Sequence, residues 1–175
     1  MIITDTSFLQ DICDPISSSE EERDIISKLE QELEISNKAG SFGIGLAAPQ
    51  IGIKKRAAIV RIGPAATINL INSVIVDKNG SAFSQESCLS LPTKSVVVQR
   101  SSDILIENNS FGIKQKFAAY GLAAICIQHE MDHWDGILIV DRAIEKHTES
   151  VSATPNLPCP CGSGKKARKC CKKVK

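Results

Sequence analysis

His129 and His133 stand four residues apart in the segment His129-Glu130-Met131-Asp132-His133. On a helix, residues at i and i+4 project from one face, so two imidazoles can grip one metal ion. The glutamate between them can act as general base towards a water on that ion. The same pentapeptide also occurs as ordinary helix surface. Here Leu122, Ile125 and Cys126 share the histidines' face at helical spacing, so the pattern turns the imidazoles inward. Buried paired imidazoles need a common partner, and a metal ion supplies one.

A catalytic ion needs a third protein ligand besides water. Cys88, in Glu86-Ser87-Cys88-Leu89-Ser90, offers a thiolate; a lone cysteine also serves as a small buried hydrophobe. A third segment is Gly43-Ile44-Gly45-Leu46-Ala47-Ala48-Pro49-Gln50. It lacks the third glycine of a dinucleotide fingerprint, and no strand is expected to lead into it. Its glycines permit close approach of backbone to a ligand, and Gln50 offers a neutral side-chain donor. Composition alone leaves it equally readable as any Gly/Ala loop.

These residues need elements to carry them. A helix is expected from about Gly121 to Asp135, ended by Gly136, with the histidine pair on it. Between Arg56 and Glu107, Ala57–Val60, Val74–Val76, Val96–Val98 and Ile104–Ile106 read as strands, with turn chemistry at Asp77–Gly80 and Asn108–Gly112. Upstream, Ser19 and Glu22 have capping-box spacing, and Ile25, Ile26, Leu29 and Leu33 then recur at helical period up to Ala39-Gly40. That helix should lay its apolar stripe on a sheet.

The chain has 175 residues, 42% hydrophobic and 23% charged, ordinary for one soluble domain with a small appendage. Met1-Ile2-Ile3-Thr4-Asp5 has no basic segment, and no apolar run approaches the roughly 20 residues of a membrane helix. A cytoplasmic protein without membrane attachment is the expectation. Its seven cysteines then point to metal rather than disulfides. Four of them, Cys159, Cys161, Cys170 and Cys171, form the pattern C-x-C-x8-C-C after a Ser/Thr/Pro/Asn-rich linker at 148–158. Tight thiolate pairs across a Gly/Ser/Lys turn can hold a structural zinc, which would supply most of the folding free energy of so short a segment. A disordered basic tail with incidental cysteines is the plainer alternative.

The net charge of +1 conceals an asymmetry. Residues 159–175 hold seven of the 21 basic residues and no acid, leaving 14 basic against 20 acidic, or −6, in residues 1–158.

Taken in order, Gly43–Gln50, Glu86–Ser90 and Gln128–His133 resemble the three signature motifs of peptide deformylases: the GxGLAAPQ loop, the EGCLS strand and the QHEMDH helix. Leu70-Ile71-Asn72, Leu91-Pro92 and Gly121–Gln128 extend the likeness, which runs over about residues 36–142. The resemblance implies an α+β catalytic domain over 1–147, with antiparallel sheets around a central helix bearing HExxH. It implies a monomeric hydrolase that removes the formyl group from N-formylmethionyl nascent chains. Carried over by position, Cys88, His129 and His133 would hold iron(II), with nickel, cobalt or zinc able to substitute. Glu130 would be the base, and the Gln50 side chain and the Leu89 N–H would stabilise the oxyanion. Ile44, Gly45, Leu122, Ile125 and Cys126 would bind the substrate. Ser87 replaces the motif glycine, Lys94 and Ser95 stand where an arginine is often found, and the opening strand pattern is missing. Residues 159–175 resemble the SEC-C motif, making a zinc-knuckle tail in place of the family's C-terminal helix. Its basic charge suggests the ribosome as partner. Two rival functions remain at this level: a zinc metalloprotease, and a non-catalytic adaptor on the same scaffold.

Overall fold

The structure, a computed structural model, describes residues 1–41, 43–63 and 67–144. The linker and the four clustered cysteines, with the zinc site expected on them, lie outside the described residues.

A short helix α1 (Thr6–Leu9) precedes the long helix α2 (Ser19–Lys38). Ser18, not Ser19, is the N-cap: its extended backbone lets its hydroxyl accept from Glu21 N at 3.1 Å, whereas Ser19 is already helical. Glu22 therefore has no capping role. It is buried and accepts from Ser110 Oγ and Phe111 N, tying α2 to a distant turn. The helix stops at Ala39, ahead of Gly40 with φ +91.

Three antiparallel strands follow, β1 (Gly45–Ala47), β2 (Ala57–Arg61) and β3 (Thr67–Ile71), forming a sheet in that order. The segment expected as a Gly/Ala loop thus enters as a strand, then turns in a 3₁₀ segment over Ala48–Ile51. Ala57 to Val60 are all buried, because both faces of β2 are covered. Ala57 and Ile59 pack with Ile71, Leu46 and the α2 stripe Ile25, Ile26, Leu29 and Leu33. Ala58 and Val60 face the other side. A continuous apolar run, rather than alternation, is the signature of such a sandwiched strand.

The second sheet has order β4 (Val74–Asn79), β7 (Asp103–Ser110), β8 (Ile113–Tyr120). The expected turns are narrower than their sequences suggested. Strand β4 continues through Asn79, with Gly80 at φ +63, and β7 through Ser110, leaving Phe111 and Gly112 with positive φ to reverse the chain. Asn108 stitches the two sheets together: its Oδ1 accepts from Ile71 N and Ser73 Oγ, and its Nδ2 donates to Asn69 O.

A separate two-stranded sheet pairs β5 (Ala82–Cys88) with β6 (Leu91–Arg100). Ser87 lies opposite Ser95 but Cys88 opposite Leu91, so Pro92, Thr93 and Lys94 bulge from β6. Helix α3 (Gly121–Trp134) packs Ala124, Ile127, Met131 and Trp134 against Ala58, Val60, Leu70, Ile104 and Ile106. The core-facing stripe is therefore this one. The face bearing Leu122, Ile125, Cys126 and His129 opens on a cavity instead, with His133 buried one turn on, and Leu122 is 59% exposed. After α3, a 3₁₀ turn (Ile139–Arg142) leads to Ala143, which bridges to Val98 of β6.

Candidate metal centre and its cavity

Helix α3 fixes His129 and His133 one turn apart, with ring centroids 5.3 Å from each other. Cys88 ends β5, and its Sγ lies 3.3 Å from His133 Nε2. The ligand atoms of Cys88, His129 and His133 all fall within 4.8 Å of one another. Bonds of about 2.0–2.3 Å to one ion place its donors roughly 3–4 Å apart, so the three fit a single divalent cation. His129 Nδ1 is 2.9 Å from Glu86 Oε2, which directs Nε2 towards the same point.

The electrostatics agree with a cation site. Burial alone would lower His129, but Cys88, Glu86 and Glu130 outweigh it and hold the ring up at about 10. His133 is pushed down to about 3, first by burial and then by the charges of His129 and Arg100. The donor set thus stabilises one positive charge, carried by a proton on His129 that a bound ion would displace, and keeps His133 neutral, the form that ligates. Burial pushes the Glu130 carboxyl up to about 7. Among the described residues its buried Oε2 has no hydrogen-bond partner, a place for a polar group beside the donors.

Glu130 is confined on the other side by β1. A Cβ on Gly45 would sit 2.3 Å from Glu130 Oε1 and 2.8 Å from Cδ, so only glycine leaves the carboxylate its space. Gln50 is held with equal definition. Its Oε1 accepts from Ala47 N at 2.8 Å, which turns Nε2 towards Cys88 Sγ at 3.3 Å and Ser90 Oγ at 3.2 Å. The amide therefore presents its N–H₂ to the donor cluster.

These groups share one cavity of about 400 Å³. Ile44, Gly45, Leu122, Ile125 and Cys126 line it together with Gln50, Cys88, Leu89, His129 and Glu130. Every residue singled out in the three sequence segments is thus brought to one place, apolar along one wall and polar at the donor cluster. Burial and the nearby Glu130 and Glu86 carboxylates push the Cys126 thiol up to about 12, so it lines the wall as a neutral group.

A family model described as polypeptide deformylase matches residues 1–149. The chain belongs to that family. It accordingly has the family's metal-dependent deformylase function. Residues 156–173 match the SEC-C motif. Among curated relatives, the chain is 42% identical over 102 residues to a peptide deformylase of Desulfitobacterium hafniense, covering 58% of this chain and 67% of that one. It is 45% identical over 103 residues to one of Caldicellulosiruptor bescii, covering 58% and 61%. Among solved structures, a Synechococcus elongatus peptide deformylase in complex with actinonin superposes with TM-score 0.75 at 33% identity, covering 83% of this chain and 80% of that one.

Sequence reasoning gave no role to the groups that brace the donors. Arg100 is 5% exposed and donates from Nε and Nη2 to both oxygens of Glu86 at 2.9 Å, and from Nη1 to Asp132. Burial pushes the Glu86 carboxyl up, but hydrogen bonds from His129 and Arg100 and their charges bring it below the ordinary range. Period-two alternation on β5 could have signalled Glu86, which shares the buried face of Cys88. Nothing local marks Arg100, twelve residues beyond Cys88.

Proposed function

We propose that Cys88, His129 and His133 hold the catalytic ion, and that the chain deformylates N-formylmethionyl nascent polypeptides through Glu130, Gln50 and the Leu89 N–H. The observation that carries this reading is the convergence of three metal donors, an unpartnered carboxylate and an oriented amide on one partly apolar cavity. A divalent ion there would polarise the formyl carbonyl and bring the pKa of a bound water to about 7. Glu130 takes the proton from the attacking water and returns it to the departing amine. The Gln50 Nε2 and Leu89 N–H receive the charge that develops on the formyl oxygen, each donor worth about 3–4 kcal/mol. Ile44, Gly45, Leu122, Ile125 and Cys126 take up the methionyl end of the substrate.

Iron(II) is our assignment for the native ion, with nickel, cobalt or zinc as substitutes; the thiolate softens the site towards such metals. Activity on a short formyl-methionyl peptide tests the reading, measured as formate released. Cleavage of internal peptide bonds instead would make the chain a protease, and metal binding without turnover would make it an adaptor.

For the tail, the reading is a structural zinc on Cys159, Cys161, Cys170 and Cys171. Four thiolates lower its seven positive charges by four and the zinc restores two, leaving +5. That charge suits an anionic surface, and the ribosome near emerging chains is the partner we assign, reached by a monomeric, cytoplasmic enzyme. Deleting residues 155–175 should leave turnover of a short peptide within about twofold and weaken ribosome co-sedimentation. Equal sedimentation of both forms would refute the docking.

A further inference from the structure

The brace behind the donors has an outer end. Arg142 closes the 3₁₀ turn Ile139–Arg142, and its Nε and Nη2 each lie 2.6 Å from an oxygen of Asp132. Asp132 also accepts from Arg100 Nη1. Arg100 in turn holds both oxygens of Glu86, and Glu86 holds His129 Nδ1. Five residues therefore form one unbroken chain: Arg142, Asp132, Arg100, Glu86 and His129. It crosses four elements, since Arg142 closes the 3₁₀ turn, Asp132 and His129 ride α3, Glu86 sits on β5 and Arg100 ends β6.

The backbone holds Arg142 in register with this chain. Ala143 bridges to Val98, and Ile144 N donates to Val97 O at 3.0 Å, two to three residues from Arg100 on the same strand. Asp132 is mostly buried while the Arg142 side chain is 41% exposed. A partly buried carboxylate shared by two guanidinium groups has its charge divided between them. If Arg142 is removed, Asp132 turns its full charge on Arg100, which sits between it and Glu86. Every displacement of Arg100 towards Asp132 loosens the fork on Glu86, and Glu86 is the group that orients the His129 ring. Because Glu86 and Cys88 lie two apart on the buried face of β5, the same loosening moves the thiolate relative to the helix.

We propose that Arg142 is a positioning residue of the metal centre, acting through Asp132 and Arg100 to set Glu86 and, with it, His129 and Cys88. The proposal rests on those residues holding the ion. It adds that the geometry of the site depends on a guanidinium that touches neither ion nor substrate. The guanidinium belongs to the 3₁₀ turn that precedes residues 145–175 in the chain.

The test is metal release from the full-length protein loaded with cobalt and then mixed with a chelator. The catalytic-site signal is the part of the cobalt absorption that Cys88→Ser abolishes, which separates it from the tail cysteines. Absence of such a component in the wild type would defeat the ligand assignment itself, independently of Arg142. Given that component, Arg142→Gln should speed release about 5- to 10-fold, below the 10–100-fold effect of groups that touch a metal ligand directly, because Arg142 acts through Asp132, Arg100 and Glu86. Arg142→Lys keeps the charge but loses the two-point contact, and should speed release about 2- to 3-fold. In a Glu86→Gln background, Arg142→Gln should add less than twofold, since the path through Glu86 is already cut. A purely structural brace would lower the melting temperature while leaving release within twofold of wild type in both Arg142 variants, and that result would overturn the proposal. If the glutamine variant fails to fold, the lysine variant decides alone: release at the wild-type rate refutes it.

Discussion

Gly45→Ala perturbs the site by a single methyl group. The backbone accepts alanine there, because Gly45 is not among the positive-φ glycines. The obstacle is Glu130: the new Cβ would lie 2.3 Å from Oε1, where ordinary contact begins at 3.4 Å. Cδ and Cγ follow at 2.8 and 2.9 Å, so the carboxylate cannot escape by rotating one oxygen. Glu130 must retreat by about 1 Å, enough to misplace a general base by the margin that costs about 10²-fold in rate. That loss corresponds to about 2.7 kcal/mol of transition-state stabilisation. Overpacking of this size destabilises folds by about 1–3 kcal/mol, so the melting temperature should fall modestly while metal content stays at one ion per catalytic site. The assay is kcat and KM for formate release from a formyl-methionyl peptide, with metal quantified on the same sample. Gly43→Ala is the control, since its Cβ would meet only the flexible ends of Leu89 and Leu33 at 3.0 and 3.2 Å. If Gly45→Ala keeps kcat within threefold, or if it costs another 10²-fold on top of Glu130→Gln, the steric reasoning is wrong.

Glu130→Gln should retain fold and metal and lose 10²–10⁴-fold in kcat, as loss of a general base does; near-native turnover of the loaded variant would exclude that role. The iron(II) form should lose activity in air faster than the nickel form, with oxidation of Cys88 visible by mass spectrometry; equal durability would count against iron beside a thiolate. The Glu86 carboxyl titrates below its ordinary 4.5 in the folded protein, so its contribution to stability is complete above that value and is lost as pH falls through the folded pKa. Glu86→Gln should therefore flatten the acid limb of melting temperature against pH in metal-free protein, and an unchanged limb would assign acid lability to other groups.

The chemistry was more legible in the chain than the packing. His129, Glu130 and His133 announce themselves because helical spacing converts sequence separation into a shared face. Cys88 and Gln50 lack that advantage, and only their company in the other two motifs drew them in. The inward turn of the imidazoles was legible, but which apolar residues of α3 fill the core was not. Leu122, Ile125 and Cys126 form an apolar stripe, but an apolar cavity wall and a core face have the same composition, and Ala124, Ile127, Met131 and Trp134 fill the core. The capping box failed by one residue because Ser17, Ser18 and Ser19 are chemically alike; the extended backbone of Ser18 selects the cap. Glu22 and Arg100 were illegible for a common reason, since their partners are brought near by tertiary folding alone.

The isolated sheet of β5 and β6 has a mechanical consequence. It shares no ladder with the other two sheets, and a two-stranded hairpin is at best marginally stable by itself. Its own apolar cluster is small, with Cys88, Val96, Val98 and Ile139 at its buried centre. Yet, on the proposed ligand set, it would deliver Cys88 to an ion whose other two ligands are locked into α3. Metal capture would therefore add a reversible crosslink between this sheet and α3 to the ties that Arg100 makes to Asp132 and Glu86 to His129, and part of the binding free energy would be spent as local folding. Amide hydrogen exchange should register this as a metal-dependent slowing confined to residues 82–100, with β1 to β3 protected equally in both states. Without metal, the strand that carries Cys88 would keep its ion pairs to α3 but lose the crosslink at its end.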